Sequence, residues 1–180
     1  MTAPVATEPR APGDSFVPRI LVFSTNNISD PGIDLAGSAH MHYSPGVNVI
    51  GLPCTSGIRP SWILHAFESG FDGVFVASDG DECAYLHDCA KRSSRIMAEA
   101  QKAMKERGID GNRLRMAAIC SVCSEPFTRH MLQFSEALAA LGPVAAGASS
   151  RVAQVSIIVV TVPSPDPSGR GRPRTWSCAS

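Results

Sequence analysis

The stretch FDGVFVASDGDEC, Phe71 to Cys83, decides how this chain folds. Its first part runs Val74, Phe75, Val76, Ala77 without a polar residue. A strand with one face in water alternates apolar and polar side chains. A continuous apolar run marks a parallel strand covered on both faces. The strand is expected over Asp72–Ala77. It then breaks into an acidic turn, Ser78, Asp79, Gly80, Asp81 and Glu82, and reaches Cys83. From there a helix is expected to about Arg107, with Leu86, Cys89, Ser93, Ile96, Met97, Ala100 and Met104 at helical spacing and Gly108 as its stop.

The same pattern repeats on either side. RILVFST (Arg19–Thr25) is a short apolar run ending in polar residues, and IDLAGSAH after Pro31 allows one or two helical turns. GVNVIGLP (Gly46–Pro53) is a second strand, with Cys54 immediately past its end. In RPSWILHAFESG, Pro60 suits a first helical turn and Gly70 a stop, with Trp62, Ile63, Ala66 and Phe67 on one face. RLRMAAICS (Arg113–Ser121) gives a fourth strand. SEPFTRHMLQFSEALAALG gives a fourth helix, with Phe127, Met131, Phe134, Leu138 and Leu141 as its buried stripe.

Strands alternating with helices argue an α/β fold: an open parallel sheet of the Rossmann or flavodoxin kind, with helices on both faces. Ligands of such sheets bind beyond the carboxyl ends of the strands. Thr25, Cys54, Ser78–Cys83 and Cys120–Cys123 all fall there.

Composition sets the outer limits. The chain has 180 residues, enough for one domain with a core. Residues 1–18 read as a disordered arm rich in proline and alanine, 19–143 as the folded domain, and 144–180 as a linker and low-complexity tail. Within that tail VAQVSIIVVTV is either a further strand or a sticky segment. Sixteen basic residues balance sixteen acidic ones, and aromatics are few, so neither nucleic acid nor an anionic membrane is an expected partner. No apolar run is long enough to span a membrane, and a soluble, cytoplasmic protein is expected.

There are six cysteines, Cys54, Cys83, Cys89, Cys120, Cys123 and Cys178; a cytoplasmic chain of this size needs no disulfide staples, and any one of them is as readily a small buried apolar residue as a functional thiol. Cys54 and Cys83 are either two soft metal ligands or two unrelated turn thiols. Cys120-Ser-Val-Cys123 is the single C-x-x-C, suited to zinc, to iron or to a redox disulfide. Asp79, Asp81 and Glu82 are better read as favouring the positive end of the following helix than as a hard-cation site, since EF-hand spacing is absent. His40, His42, His65 and His130 read as surface residues. No phosphate-binding glycine motif and no nucleophile elbow occurs.

Together, RILVFSTNNISDPGIDLAG, VNVIGLPCTSG, ILHAFESGFDGVFVAS, CAYL and ERGIDGNRLR resemble the delta subunit of methyl-viologen-reducing hydrogenase, over about Arg19 to Pro143. The resemblance implies an electron-transfer subunit with a 2Fe–2S cluster. It would pass electrons from a hydrogenase or formate dehydrogenase toward a heterodisulfide-reductase-like flavoprotein, with no bond chemistry of its own. The family places F-S-C-x-x-C after the first strand; here Thr25 and Ile28 stand where its cysteines would be. Cys54 matches the cysteine after the second strand and Cys83 the last one of the turn after the third. The earlier cysteine of that turn is replaced by Ser78 or Asp79. Two completions of the ligand set are open: a carboxylate from Asp79, or the thiols of Cys120 and Cys123 joining Cys54 and Cys83. The alternatives to a relay are a cofactor-free docking subunit, and a thiol-redox or zinc protein using Cys120 and Cys123.

Overall fold

The computed structural model describes residues 16–80, 83 and 86–144. Of the expected arm over residues 1–18 and tail over 144–180, residues 1–15 and 145–180, with VAQVSIIVVTV and Cys178, lie outside the described residues, as do Asp81 and Glu82; Pro18 is buried and Val144 packs against the core.

The elements run β1 (Ile20–Thr25), α1 (Ser29–Ser38), β2 (Val47–Leu52), α2 (Pro60–Glu68), β3 (Gly73–Ser78), α3 (Cys89–Glu106), β4 (Leu114–Ala118) and α4 (Glu125–Leu141). The four strands form one parallel sheet in the order β2-β1-β3-β4. The chain steps one way from β1 to β2, then crosses back past β1 to β3 and β4. The strand order therefore reverses between β1 and β3, and their carboxyl ends border the crevice where such folds bind ligands.

Both faces are covered, as the apolar runs require. In β1 and β3, side chains alternate between the faces. Leu21, Phe23, Val74 and Val76 pack with Ile63 and Phe67 of α2 and Met97, Ala100 and Met104 of α3. Ile20, Val22, Phe75 and Ala77 pack with Ile33 of α1 and Phe127, Met131, Phe134 and Leu138 of α4. Phe67, Phe75, Phe127 and Phe134 are all essentially inaccessible to water. Each buried ring of this kind stabilises the fold by about 1.5–3 kcal/mol. Gly73 lets α4 close on the sheet: a Cβ there would meet Leu138 Cδ1 at 2.5 Å.

The amino edge is tied by polar groups. Asp72 accepts the Arg19 backbone N–H at Oδ2 (2.9 Å) and the Val144 N–H at Oδ1 (3.3 Å). Arg113 is buried, and its guanidinium donates to the carbonyls of Asp72 (3.2 Å) and Gly142 (2.9 Å). It thereby satisfies a backbone carbonyl at the end of α4, which no helical partner reaches.

Several expectations are corrected. The helix after β3 begins at Cys89, not Cys83. Cys83 lies outside the helix, its sulfur 3.8 Å from that of Cys54. The helix α1 is a full ten residues from Ser29, with Pro31 tolerated inside its first turn, where no N–H partner is needed. Trp62 is 43% exposed and Leu141 38% exposed, so neither belongs to the core stripe of its helix. The second strand is an edge strand with Asn48–Gly51 exposed. Among the described residues, no helix is long and apolar enough to cross a membrane.

Candidate metal centre

Three thiols meet at the carboxyl edge. Cys54 leaves β2 in extended backbone and opens the short 3-10 turn Thr55–Gly57. Cys83 follows β3, and Cys89 is the first residue of α3. Their sulfurs all lie within 4.8 Å of one another. Cys54 Sγ is 3.8 Å from Cys83 Sγ and 3.2 Å from Cys89 Sγ. Cys89 is buried, while Cys54 and Cys83 are half-buried and reachable from the edge.

Hydroxyls surround the group. Ser56 Oγ is 3.0 Å from Cys54 Sγ, and Thr55 Oγ1 is 3.7 Å from Cys89 Sγ. Thr55 and Ser93, both buried, hold each other at 2.9 Å. Cys89 opens an 18-residue helix. Arg92 adds a fixed positive charge. Its guanidinium is held above its ordinary range first by the hydrogen bond to Asp88, and in smaller part by the thiols of Cys54 and Cys89. The same bond, Arg92 Nε to Asp88 Oδ2 at 2.9 Å, holds the Asp88 carboxyl below its usual range.

Beside the thiols, at the reversal point itself, sits a polar knot without sulfur. Thr25 Oγ1 donates to Asp79 Oδ1 across the β1–β3 boundary. The Thr25 N–H donates to Ser29 Oγ (2.6 Å) and the Ser29 N–H to Thr25 Oγ1 (3.2 Å), fixing the start of α1. Ser29 Oγ also donates to the Ala77 carbonyl (3.0 Å), and Ser24 Oγ donates to Asp30 Oδ1 (3.1 Å). Thr25, Ser29 and Asp79 are all buried. Asp79 therefore does not cap the helix after β3; it anchors β1 to the turn that follows β3.

Cys120 and Cys123 form a separate pair, with sulfurs 2.8 Å apart. They sit between β4 and α4, two residues short of the helix, with Val122 at the exposed tip. The Cys123 thiol is pushed above its ordinary value, first by its hydrogen bond to Cys120, then by desolvation and by the negative charges of Cys120 and Glu125.

Of the residues singled out in the sequence, then, the structure brings Cys54 and Cys83 together. Cys120 and Cys123 are not part of that group; they follow β4, at the opposite edge of the sheet from the β2 strand that leads to Cys54. The convergent partner is Cys89, which helical spacing alone places inside a helix. In a helix starting at Cys83, Cys83 and Cys89 would point away from each other; with the helix starting at Cys89, their sulfurs meet.

The fold and edge site define a flavodoxin-like α/β module with a thiol centre beside its strand-reversal point. The chain belongs to the methyl-viologen-reducing hydrogenase delta subunit family, whose model matches residues 20–142. It is 33% identical over 132 residues to the iron-sulfur subunit of the vhc F420-non-reducing hydrogenase of Methanococcus voltae, covering 72% of this chain and 90% of that one. It is 28% identical over 135 residues to the iron-sulfur subunit of the F420-non-reducing hydrogenase of Archaeoglobus profundus, covering 72% and 95%. It is also 34% identical over 134 residues to one component of the ferredoxin:CoB-CoM heterodisulfide reductase of Methanosarcina mazei. That match covers 72% of this chain but spans only 16% of the much longer reductase component.

A 2Fe–2S cluster of the usual kind takes four thiolates. Among the described residues the chain gathers three. Thr25 and Asp79, at positions where the resemblance implies further cysteines, are hydrogen-bonded to each other. The residues present do not fit a four-thiolate cluster.

Proposed function

We propose that this chain is an electron-transfer subunit of an oxidoreductase assembly. A hydrogenase- or dehydrogenase-type partner would donate electrons, and a heterodisulfide-reductase-like flavoprotein would accept them. Its redox metal would be held by Cys54, Cys83 and Cys89. The observation that carries the reading is the convergence of these thiols at the carboxyl edge of a family fold whose relatives are named as iron-sulfur subunits. The half-buried Cys54 and Cys83 put the centre within reach of a docked partner.

The test is anaerobic purification of the full chain, followed by metal analysis and a reductive titration with dithionite. A bound metal whose absorbance changes reversibly on reduction, and which is lost in Cys54→Ser, supports the relay. A folded, metal-free chain moves the reading to a cofactor-free docking subunit. The Thr25–Asp79 bond favours that second reading, because it closes the ligand-poor half of the edge without any metal.

A further inference from the structure

We infer that Cys54, Cys83 and Cys89 form a three-thiolate site for a single soft divalent ion, zinc or iron(II), with the fourth coordination position open. The inference rests on the metal-centre half of the proposed function and is independent of the relay.

The spacing argues for one ion. Metal–sulfur bonds of about 2.3 Å in tetrahedral geometry put neighbouring sulfurs about 3.8 Å apart. Cys54 and Cys83 are 3.8 Å apart, Cys54 and Cys89 3.2 Å apart, and all three sulfurs are within 4.8 Å. A bridged pair of irons asks for something different: two thiolates on each iron, the pairs held apart by the bridging core. Three sulfurs this close surround one point rather than flanking two.

The donor set argues for the ion's class. Thiolates select soft or borderline ions over magnesium and calcium. The Asp79 carboxylate is engaged by Thr25, and among the described residues the group is all-sulfur. Hydroxyls of Ser56 and Thr55 stand behind Cys54 and Cys89, as outer partners that orient ligands commonly do.

The count argues for the open position. Among the described residues, no fourth histidine, cysteine or carboxylate joins the group. Closed structural zinc sites carry four protein ligands, whereas three leave a place for water or an external donor. Cys54 and Cys83 are partly exposed, so an external donor has a route to that place.

The test is titration of the reduced, metal-free full chain with Co2+ under anaerobic conditions. One ion per chain is expected, with an intense sulfur-to-cobalt band, displaced by Zn2+ and shifted when imidazole takes the open position. Cys54→Ser and Cys89→Ser should each weaken binding at least tenfold, with circular dichroism confirming the fold, while Cys120→Ser should leave it unchanged. Loss of the ion in Cys120→Ser overturns the assignment, and so does a chain that binds no Co2+. Two irons and two sulfides per chain on reconstitution overturn the single-ion site but leave the relay standing. A chain that takes one zinc but no redox-active iron sustains the site and sinks the relay.

Discussion

Thr25 and Asp79 come from the carboxyl ends of adjacent strands, and the hydroxyl of one donates to the carboxylate of the other in a buried setting. Thr25 also accepts the N–H that opens α1. One side chain therefore joins β1, α1 and the turn after β3. Thr25→Val keeps the shape and removes the donor, leaving a buried carboxylate short of a partner. It should cost about 1–3 kcal/mol, read as a lower urea midpoint with an unchanged slope. Thr25→Ser should restore most of the loss.

Gly32 couples the first helix to the C-x-x-C loop. A Cβ at this position would meet the Cys120 carbonyl oxygen at 2.4 Å, and backbone cannot step aside as a flexible side chain can. Gly32→Ala should destabilise the domain by about 1–3 kcal/mol. It should also perturb the amide resonances of Cys120–Cys123 more than those of the Cys54–Gly57 turn. Equal perturbation of both loops would count against this coupling.

His130 gives the fold a pH dependence. Its imidazole is held below its ordinary value, chiefly by burial beside Phe75 and then by the charges of Arg129 and Arg115. An unfolded chain's histidine titrates at about 6.5. Between the folded value and 6.5 the unfolded state binds more protons. This group's contribution is therefore complete above about pH 6.5 and is lost as pH falls through the folded value. His130→Gln should flatten that part of a plot of urea midpoint against pH between 7.5 and 5.

Cys123 should react slowly with iodoacetamide at pH 8, because its thiol donates its proton in a hydrogen bond to Cys120 and is held above its ordinary value. Cys120→Ala removes that partner and a neighbouring charge. The reaction at Cys123 should then accelerate, with its midpoint moving to lower pH, as followed by peptide mass spectrometry.

The sheet was readable because burial on both faces leaves a plain trace: Val74–Ala77 has no polar residue, and β1 and β3 are buried throughout. The helix stripes at Phe127, Met131, Phe134 and Leu138 were equally plain. Trp62 and Leu141 misled, because an apolar residue at the margin of a stripe has the same spacing whether or not a neighbour covers it. The site was half legible. Cys54 and Cys83 were marked by position at strand ends. Cys89 was hidden by a misplaced helix start, for nothing local announces it: Asp88 precedes Cys89 without its side chain capping the helix, binding Arg92 instead. The joining of Thr25 to Asp79 depends on which strands are neighbours, and periodicity does not contain that.

The two hydrogen bonds to Asp72 have a consequence for architecture. One carboxylate holds both the residue that enters the domain, Arg19, and one that leaves it, Val144. Entry and exit thus share the amino edge, while Cys54, Cys83, Cys89, Cys120 and Cys123 all sit toward the carboxyl edge. Such a unit resembles a plug whose two leads emerge from the back. It can be spliced into or onto a longer polypeptide with its working face undisturbed. The same sequence pattern occurs both as nearly the whole of one small protein and as a sixth or so of a large one, 90% of the first and 16% of the second.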